Sequence, residues 1–224
     1  PGIRGKEVQA YRLAGVENDH ECSTAEEVLD KLRAGLHIYV REGSGAKNLE
    51  TLIKTMLDAG VCLDRCAFCT DDKHVEEIRK EGHISTCIRK AIALGVPVAK
   101  AYKMGSYQAA EFYGLKNYGA IGAGYRADIV FLDDLEQVRP LDVMKDGRIL
   151  TEEDYAKDYS VPVPDELLHT VHVGEVTKEK IRLSCDGKTD VIKMNPHQIV
   201  TTHLVEEVPT ENGYFKSDGV YNKI

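Results

Sequence analysis

Asp19-His20-Glu21, Arg41-Glu42-Gly43-Ser44 and Cys69-Thr70-Asp71-Asp72 are the segments of this chain whose side chains could do chemistry together. Each closes an apolar stretch and precedes a helix-like one, at intervals of about one strand plus one helix. Imidazole and carboxylate suit Mn, Fe or Zn. A carboxylate can also take a proton from water and hand it on. The rhythm puts a histidine, a glutamate and an aspartate on one rim of a parallel sheet, where α/β enzymes keep their chemistry.

The elements that must carry these residues can be read from spacing. Ser23-Thr24-Ala25-Glu26 has the form of a capping box, opening a helix through Val28, Leu29 and Leu32 that stops at Gly35. Leu36 to Val40 reads as a strand. Ala46 to Ala59 carries Leu49, Leu52, Ile53, Met56 and Leu57 at helical spacing, with Gly60 as its stop, and Cys66 to Cys69 reads as the next strand. Helical patterns follow at 83–94 and 98–113, ended by Gly95 and Gly114. Strand, polar segment and helix in repetition imply a βα-type parallel sheet, hence an α/β fold.

Composition narrows the function classes. A formal net charge of −8 over 224 residues excludes a nucleic-acid backbone as the expected partner, because phosphate binding needs a basic surface. No apolar run approaches the ~20 residues of a membrane span, and no basic-then-apolar leader opens the sequence, so a soluble, cytoplasmic protein is expected. Six cysteines, with Cys62, Cys66, Cys69 and Cys87 assigned to the core, fit reduced thiols rather than a disulfide framework. The chain begins at Pro1 without a methionine and is expected to be a piece of a longer polypeptide.

Boundaries show as changes of texture. Residues 1–114 hold the βα pattern. Residues 115–157 begin with a glycine-punctuated run into Ile129-Val130-Phe131-Leu132 and contain a hairpin turn at Asp146-Gly147, as a small β unit would. Val161-Pro162-Val163-Pro164 is linker-like. Within 158–224, His169 to Val176, Lys180 to Met194 with a turn at Asp186-Gly187, and Gln198 to Val208 alternate apolar and polar residues, which implies a mainly β segment.

The string Asp19-His20-Glu21-Cys22-Ser23-Thr24-Ala25-Glu26-Glu27, then Arg41-Glu42-Gly43-Ser44, then Cys69-Thr70-Asp71-Asp72-Lys73-His74 with Glu81-Gly82-His83-Ile84, resembles the bacterial and archaeal adenine deaminases of the amidohydrolase superfamily. Gly119-x-Ile121-x-x-Gly124-x-x-Ala127-Asp128 is similar to the stretch with which many amidohydrolases re-enter their small β-sandwich. The resemblance implies the C-terminal part of a metal-dependent (β/α)8 barrel, from its sixth strand onward, followed by that sandwich and a further domain. Tyr221 to Ile224 would then fall in the middle of the last domain. It implies a two-metal site, Mn or Fe with Zn as a third choice, that activates water to attack C6 of adenine and expel ammonia. His20 falls on the metal-binding histidine after the sixth strand, and Asp71 on the metal-binding aspartate after the eighth. Asp71 is also assigned the proton relay and Glu42 a catalytic role, with Arg41, Ser44 and Asp72 facing the substrate. The remaining ligands of the family lie before the matched stretch, so the expected partners are adenine and either a second copy or polypeptide completing the barrel.

Plainer uses of the same residues stand beside these roles. His20 could be a surface histidine, Asp71 and Asp72 are the residue type that caps a following helix, and Arg41 with Glu42 could form an exposed ion pair of little worth. Cys62-x3-Cys66-x2-Cys69 with His74 has the outline of a zinc knuckle, but the apolar residues between the thiols argue for structural cysteines. The zinc-type nucleobase deaminases use His-x-Glu with Pro-Cys-x-x-Cys. Cys66-x-x-Cys69 lacks the preceding proline, and no His-x-Glu occurs upstream of it. Two other function classes share the remaining features: an amidohydrolase acting on a cyclic amide or N-acyl sugar, and a non-catalytic assembly module.

Overall fold

Three parallel strands, two of them apolar runs, form the main sheet in the computed structural model, which describes residues 1–222. They are β1 (Asn18–Asp19), β2 (His37–Arg41) and β3 (Cys66–Cys69), in the sheet order β1-β2-β3. Asp19 lies beside Ile38, and Ile38 to Arg41 run in register with Cys66 to Cys69. The crossovers are α2 (Ala25–Arg33) and α3 (Leu49–Asp58), after a first helix α1 (Lys6–Leu13). α4 (Val75–Glu81), α5 (Ile84–Ala93), α6 (Val98–Gly105) and α7 (Tyr107–Phe112) follow β3.

Because side chains alternate along a strand, the sheet has two distinct faces. Ile38 and Val40 of β2 and Cys66 and Phe68 of β3 enter one buried cluster with Val28, Leu49, Leu52, Ile53, Met56, Cys87, Ile88 and Ala91 from α2, α3 and α5. The opposite face carries His37 and Tyr39. The His37 ring stacks on Phe112 with centroids 3.7 Å apart, and Tyr39 meets Phe112 edge-on and Tyr113 in a stack. α7 and the residue after it therefore cover the N-terminal half of that face.

Several local readings shift. The cap of α2 is Thr24 with Glu27, one residue later than Ser23 with Glu26, because Glu27 accepts from the amides of both Ser23 and Thr24. α3 begins at Leu49 rather than Ala46, since Glu42 bridges to Lys47 and the chain loops before Asn48. The expected 98–113 helix breaks at Ser106, whose hydroxyl bonds back to the Tyr102 carbonyl at 2.7 Å. Gly105 lies so close to α5 that a Cβ there would sit 2.7 Å from Ile88. α1 and α4 lack a clear apolar stripe, so apolar periodicity does not reveal them. Cys62, assigned to the core, is exposed at the end of the α3 connection, and all six thiols are free.

The remaining elements are all short. β4 (Ile129–Leu132), β5 (Pro140–Lys145) and β6 (Arg148–Ile149) form an antiparallel sheet, with Asp146 and Gly147 both at positive φ in the β5–β6 turn. That is the backbone a two-residue hairpin needs. The chain divides into two compact units: Pro1–Tyr155 with Asn195–Val200, and Ala156–Met194 with the residues from Thr201 onward. In the second, β7 (Lys188–Met194) pairs with β8 (Thr201–Glu207), and β9 (Thr210–Glu211) with β10 (Tyr214–Phe215), each antiparallel. His169 to Val176 and Lys180 to Leu183 form no strand, because these residues find no ladder partner among the described residues and stay exposed. Lys223 and Ile224 lie outside the described residues.

Ile53→Ala should lower unfolding free energy by about 2–5 kcal/mol in a urea titration, because its side chain is fully enclosed between α3 and the sheet. His37 supplies a pH dependence: burial, then the charge of Arg65, holds its imidazole below the ordinary 6.5. The unfolded chain therefore binds that proton more tightly than the folded one. Stability should fall as pH drops below 6.5 and level off below the folded pKa. Urea midpoints of His37→Gln across pH 5 to 8 should show a shallower decline than the native protein.

Candidate active site

Strand alternation sorts the chemical residues before any contact is considered. In register, His20, Arg41 and Asp71 have the parity of Tyr39 and Cys69, whereas Asp19, Glu42 and Thr70 have the parity of the helix-covered Ile38 and Phe68. The contacts agree on every one. On the helix side, Asp19 meets Lys31 of α2 at 2.9 Å, Glu42 accepts from Lys90 of α5 at 2.6 Å, and Thr70 Oγ1 lies 2.6 Å from His83 Nε2 at the start of α5.

On the other side, the loops after β1 and β3 converge on Arg41. Its Nη1 donates to Glu21 Oε1 at 3.1 Å and to Asp71 Oδ2 at 2.9 Å. His20 Nε2 lies 3.2 Å from Glu21 Oε1. The donor atoms of His20, Glu21 and Asp71 are all within 4.8 Å of one another. Ligand bonds of about 2.0–2.2 Å to nitrogen and oxygen can be satisfied from such a triangle after small side-chain adjustments. The chemistry of the set, one imidazole and two carboxylates, fits a divalent first-row ion with open positions left over. Arg41 is only 1% exposed, and its Nε and Nη2 find no partner among the described residues. Burying a guanidinium costs several kcal/mol unless negative charge answers it, and here Glu21 and Asp71 do.

Asp71 has φ +48°, in the left-handed region. For a residue with a Cβ this costs roughly 1–2 kcal/mol, less for Asp than for most. Asp71 is thus a junction and not a helix cap, since α4 starts only at Val75. Cys69, on the same face, has its thiol pushed up to about 12, chiefly by burial. It is therefore neutral and a poor nucleophile or ligand at neutral pH.

The sequence-derived candidates part company here. His20, Asp71 and Arg41 are brought together. Glu42 is buried on the opposite face and lines a separate cavity of about 430 Å³ with Lys47, Lys90 and His197. Ser44 and Asp72 sit in the loops after β2 and β3, where the Ser44 hydroxyl donates to Glu77 at 2.7 Å and an Asp72 carboxylate oxygen accepts from the Gly45 amide at 2.6 Å. The sequence reading missed Glu21 as a donor and Lys31, His83 and Lys90 as partners. Counting parity outward from Ile38 places Asp19, Glu42 and Thr70 on the helix side but does not name the side chains they meet there.

The amidohydrolase family model matches residues 4–150. Over 225 residues the chain is 38% identical to an adenine deaminase of Desulfitobacterium hafniense (strain Y51), covering 100% of this chain and 39% of that protein. It is 39% identical to adenine deaminase 2 of Carboxydothermus hydrogenoformans over 97% of this chain and 38% of that protein. With an adenine deaminase of Clostridium acetobutylicum the identity is 39%, over 100% of this chain and 40% of the other. The chain therefore spans about two fifths of the length of the curated relatives it matches. A family match over most of the sequence, on a rim where βα units gather a histidine and two carboxylates, makes this chain a member of the amidohydrolase family.

Proposed function

We propose that this chain carries part of the catalytic rim of an adenine deaminase, which hydrolyses adenine to hypoxanthine and ammonia. The observation that carries the reading is the convergence of His20, Glu21 and Asp71 around Arg41 at the C-terminal ends of parallel strands. Relatives bearing that name, at 38–39% identity over essentially the whole chain, support the choice of substrate.

His20 and Asp71, with Glu21, would hold a divalent ion, with Mn or Fe the natural choices and Zn a third. When bound, such an ion supplies the Lewis acidity that makes water nucleophilic at neutral pH. Three donors do not hold two ions, so a binuclear site draws its other ligands from polypeptide that completes the barrel. Asp71 accepts the proton that water loses as its oxygen adds to C6, and returns it to the departing amine, which leaves as ammonia. Arg41 fixes Asp71 and Glu21 relative to each other and, with Nε and Nη2 buried, acts on the substrate through those two carboxylates and not by contact. Glu42, held by Lys90, acts from behind the sheet by fixing the end of β2. In this layout residues 1–114 supply the barrel portion and 115–157 the small sandwich segment.

The test is metal retention and ammonia release from adenine in protein whose barrel is complete. His20→Ala and Asp71→Ala should each cut metal affinity by at least about tenfold and remove turnover, with far-UV circular dichroism unchanged in the His20 variant and Asp71→Asn, which keeps an oxygen toward Arg41, as the milder companion of the Asp71 variant. Full metal retention in both variants would overturn the ligand assignment. Hydrolysis of a cyclic amide without ammonia release from adenine would move the protein to another amidohydrolase activity.

A further inference from the structure

Asp71 is left-handed, and a conformation of that kind persists only where its surroundings over-determine it. Both of its neighbours are tied down. Thr70 is held on one side by His83 at 2.6 Å and by the Lys73 amide, which donates to the Thr70 carbonyl at 3.1 Å. On the other side the Asp72 carboxylate closes over the loop that follows β2. Its Oδ2 accepts from the Gly45 amide at 2.6 Å, and its Oδ1 lies where a side chain at position 43 would begin, 1.7 Å from an ideal Cβ. Gly43 is therefore required by Asp72. Two residues on, the same two loops are joined again: Ser44 Oγ accepts from the His74 amide at 2.9 Å and donates to Glu77 Oε2 at 2.7 Å.

The hydroxyl of Ser44 is thus already engaged as donor and as acceptor, and Asp72 points into the neighbouring loop. We propose that Asp72 and Ser44 are positioning residues: they lock the loop after β3 to the loop after β2 and so hold the Asp71 carboxylate beside His20 and Glu21. This rests on the reading of Asp71 as a metal ligand. It assigns to both residues a role that leaves adenine untouched by either.

Mn²⁺ added to protein whose barrel is complete, followed by water-proton relaxation, reports binding of the ion even when weak. Thermal melting reports the fold in parallel. Asp72→Ala and Ser44→Ala should weaken Mn²⁺ binding by about tenfold while the protein stays folded, and Asp72→Asn and Ser44→Thr, which keep the acceptor and the hydroxyl, should restore most of it. Native affinity in both alanine variants would overturn the proposal. So would an Asp72→Asn variant as weak as Asp72→Ala, because the charge itself would then be in use. If Asp72→Ala fails to fold, the Ser44 pair decides alone. Asp71→Ala separates the two levels of the argument: its loss of binding with no effect at Asp72 or Ser44 overturns only the positioning role, whereas no Mn²⁺ effect in the native chain overturns the ligand reading beneath it.

Discussion

A guanidinium shut away from water at the end of a strand has to be met by negative charge, and Arg41 is met from two directions. Glu21 comes from the loop after β1 and Asp71 from the loop after β3, so a single side chain on the central strand ties together both flanking connections. Nη1 alone makes both bonds. Removing either carboxylate would leave a buried cation half-answered, which is far more costly than losing a surface pair. The geometry of the rim is in this sense an electrostatic requirement of β2.

That requirement depends on the sheet beneath. Ile38 and Val40 must face α3 and α5 for the core to close, and Arg41 then has no choice but the other face. The same register sends Glu42 back among the helices to Lys90. Adjacent residues, both ionic, thus end on opposite sides of the sheet with different partners and different surroundings.

Much of this was legible in the sequence because it is written in periods. β2, β3, α2, α3 and α5 follow apolar spacings that a core needs, and the glycines after the three helices, Gly35, Gly60 and Gly95, take the positive φ that ends a helix. What spacing could not convey was long-range pairing. Ser44 bonds to Glu77 across 33 residues and Glu42 to Lys90 across 48. Such contacts depend on how the helices pack on the sheet, which local sequence does not encode. The alternating run at His169 to Val176 misled for the related reason that alternation makes a strand only where a partner edge is present. α4 escaped notice because it has no buried stripe to betray it.

That last feature has a bearing on motion. α4 buries none of its residues and is tied to the rest by polar links at its ends, Ser44 and Lys47 to Glu77 and Lys73 to Glu81. An element with no apolar anchor opens at a free energy set by a few polar contacts and not by the global stability of the domain. The amide protons of Val75 to Glu81 will accordingly exchange with solvent through local openings, well before those of β2 and α3. The segment immediately after Asp71 is therefore the softest helix on the rim, standing beside its most heavily constrained residue.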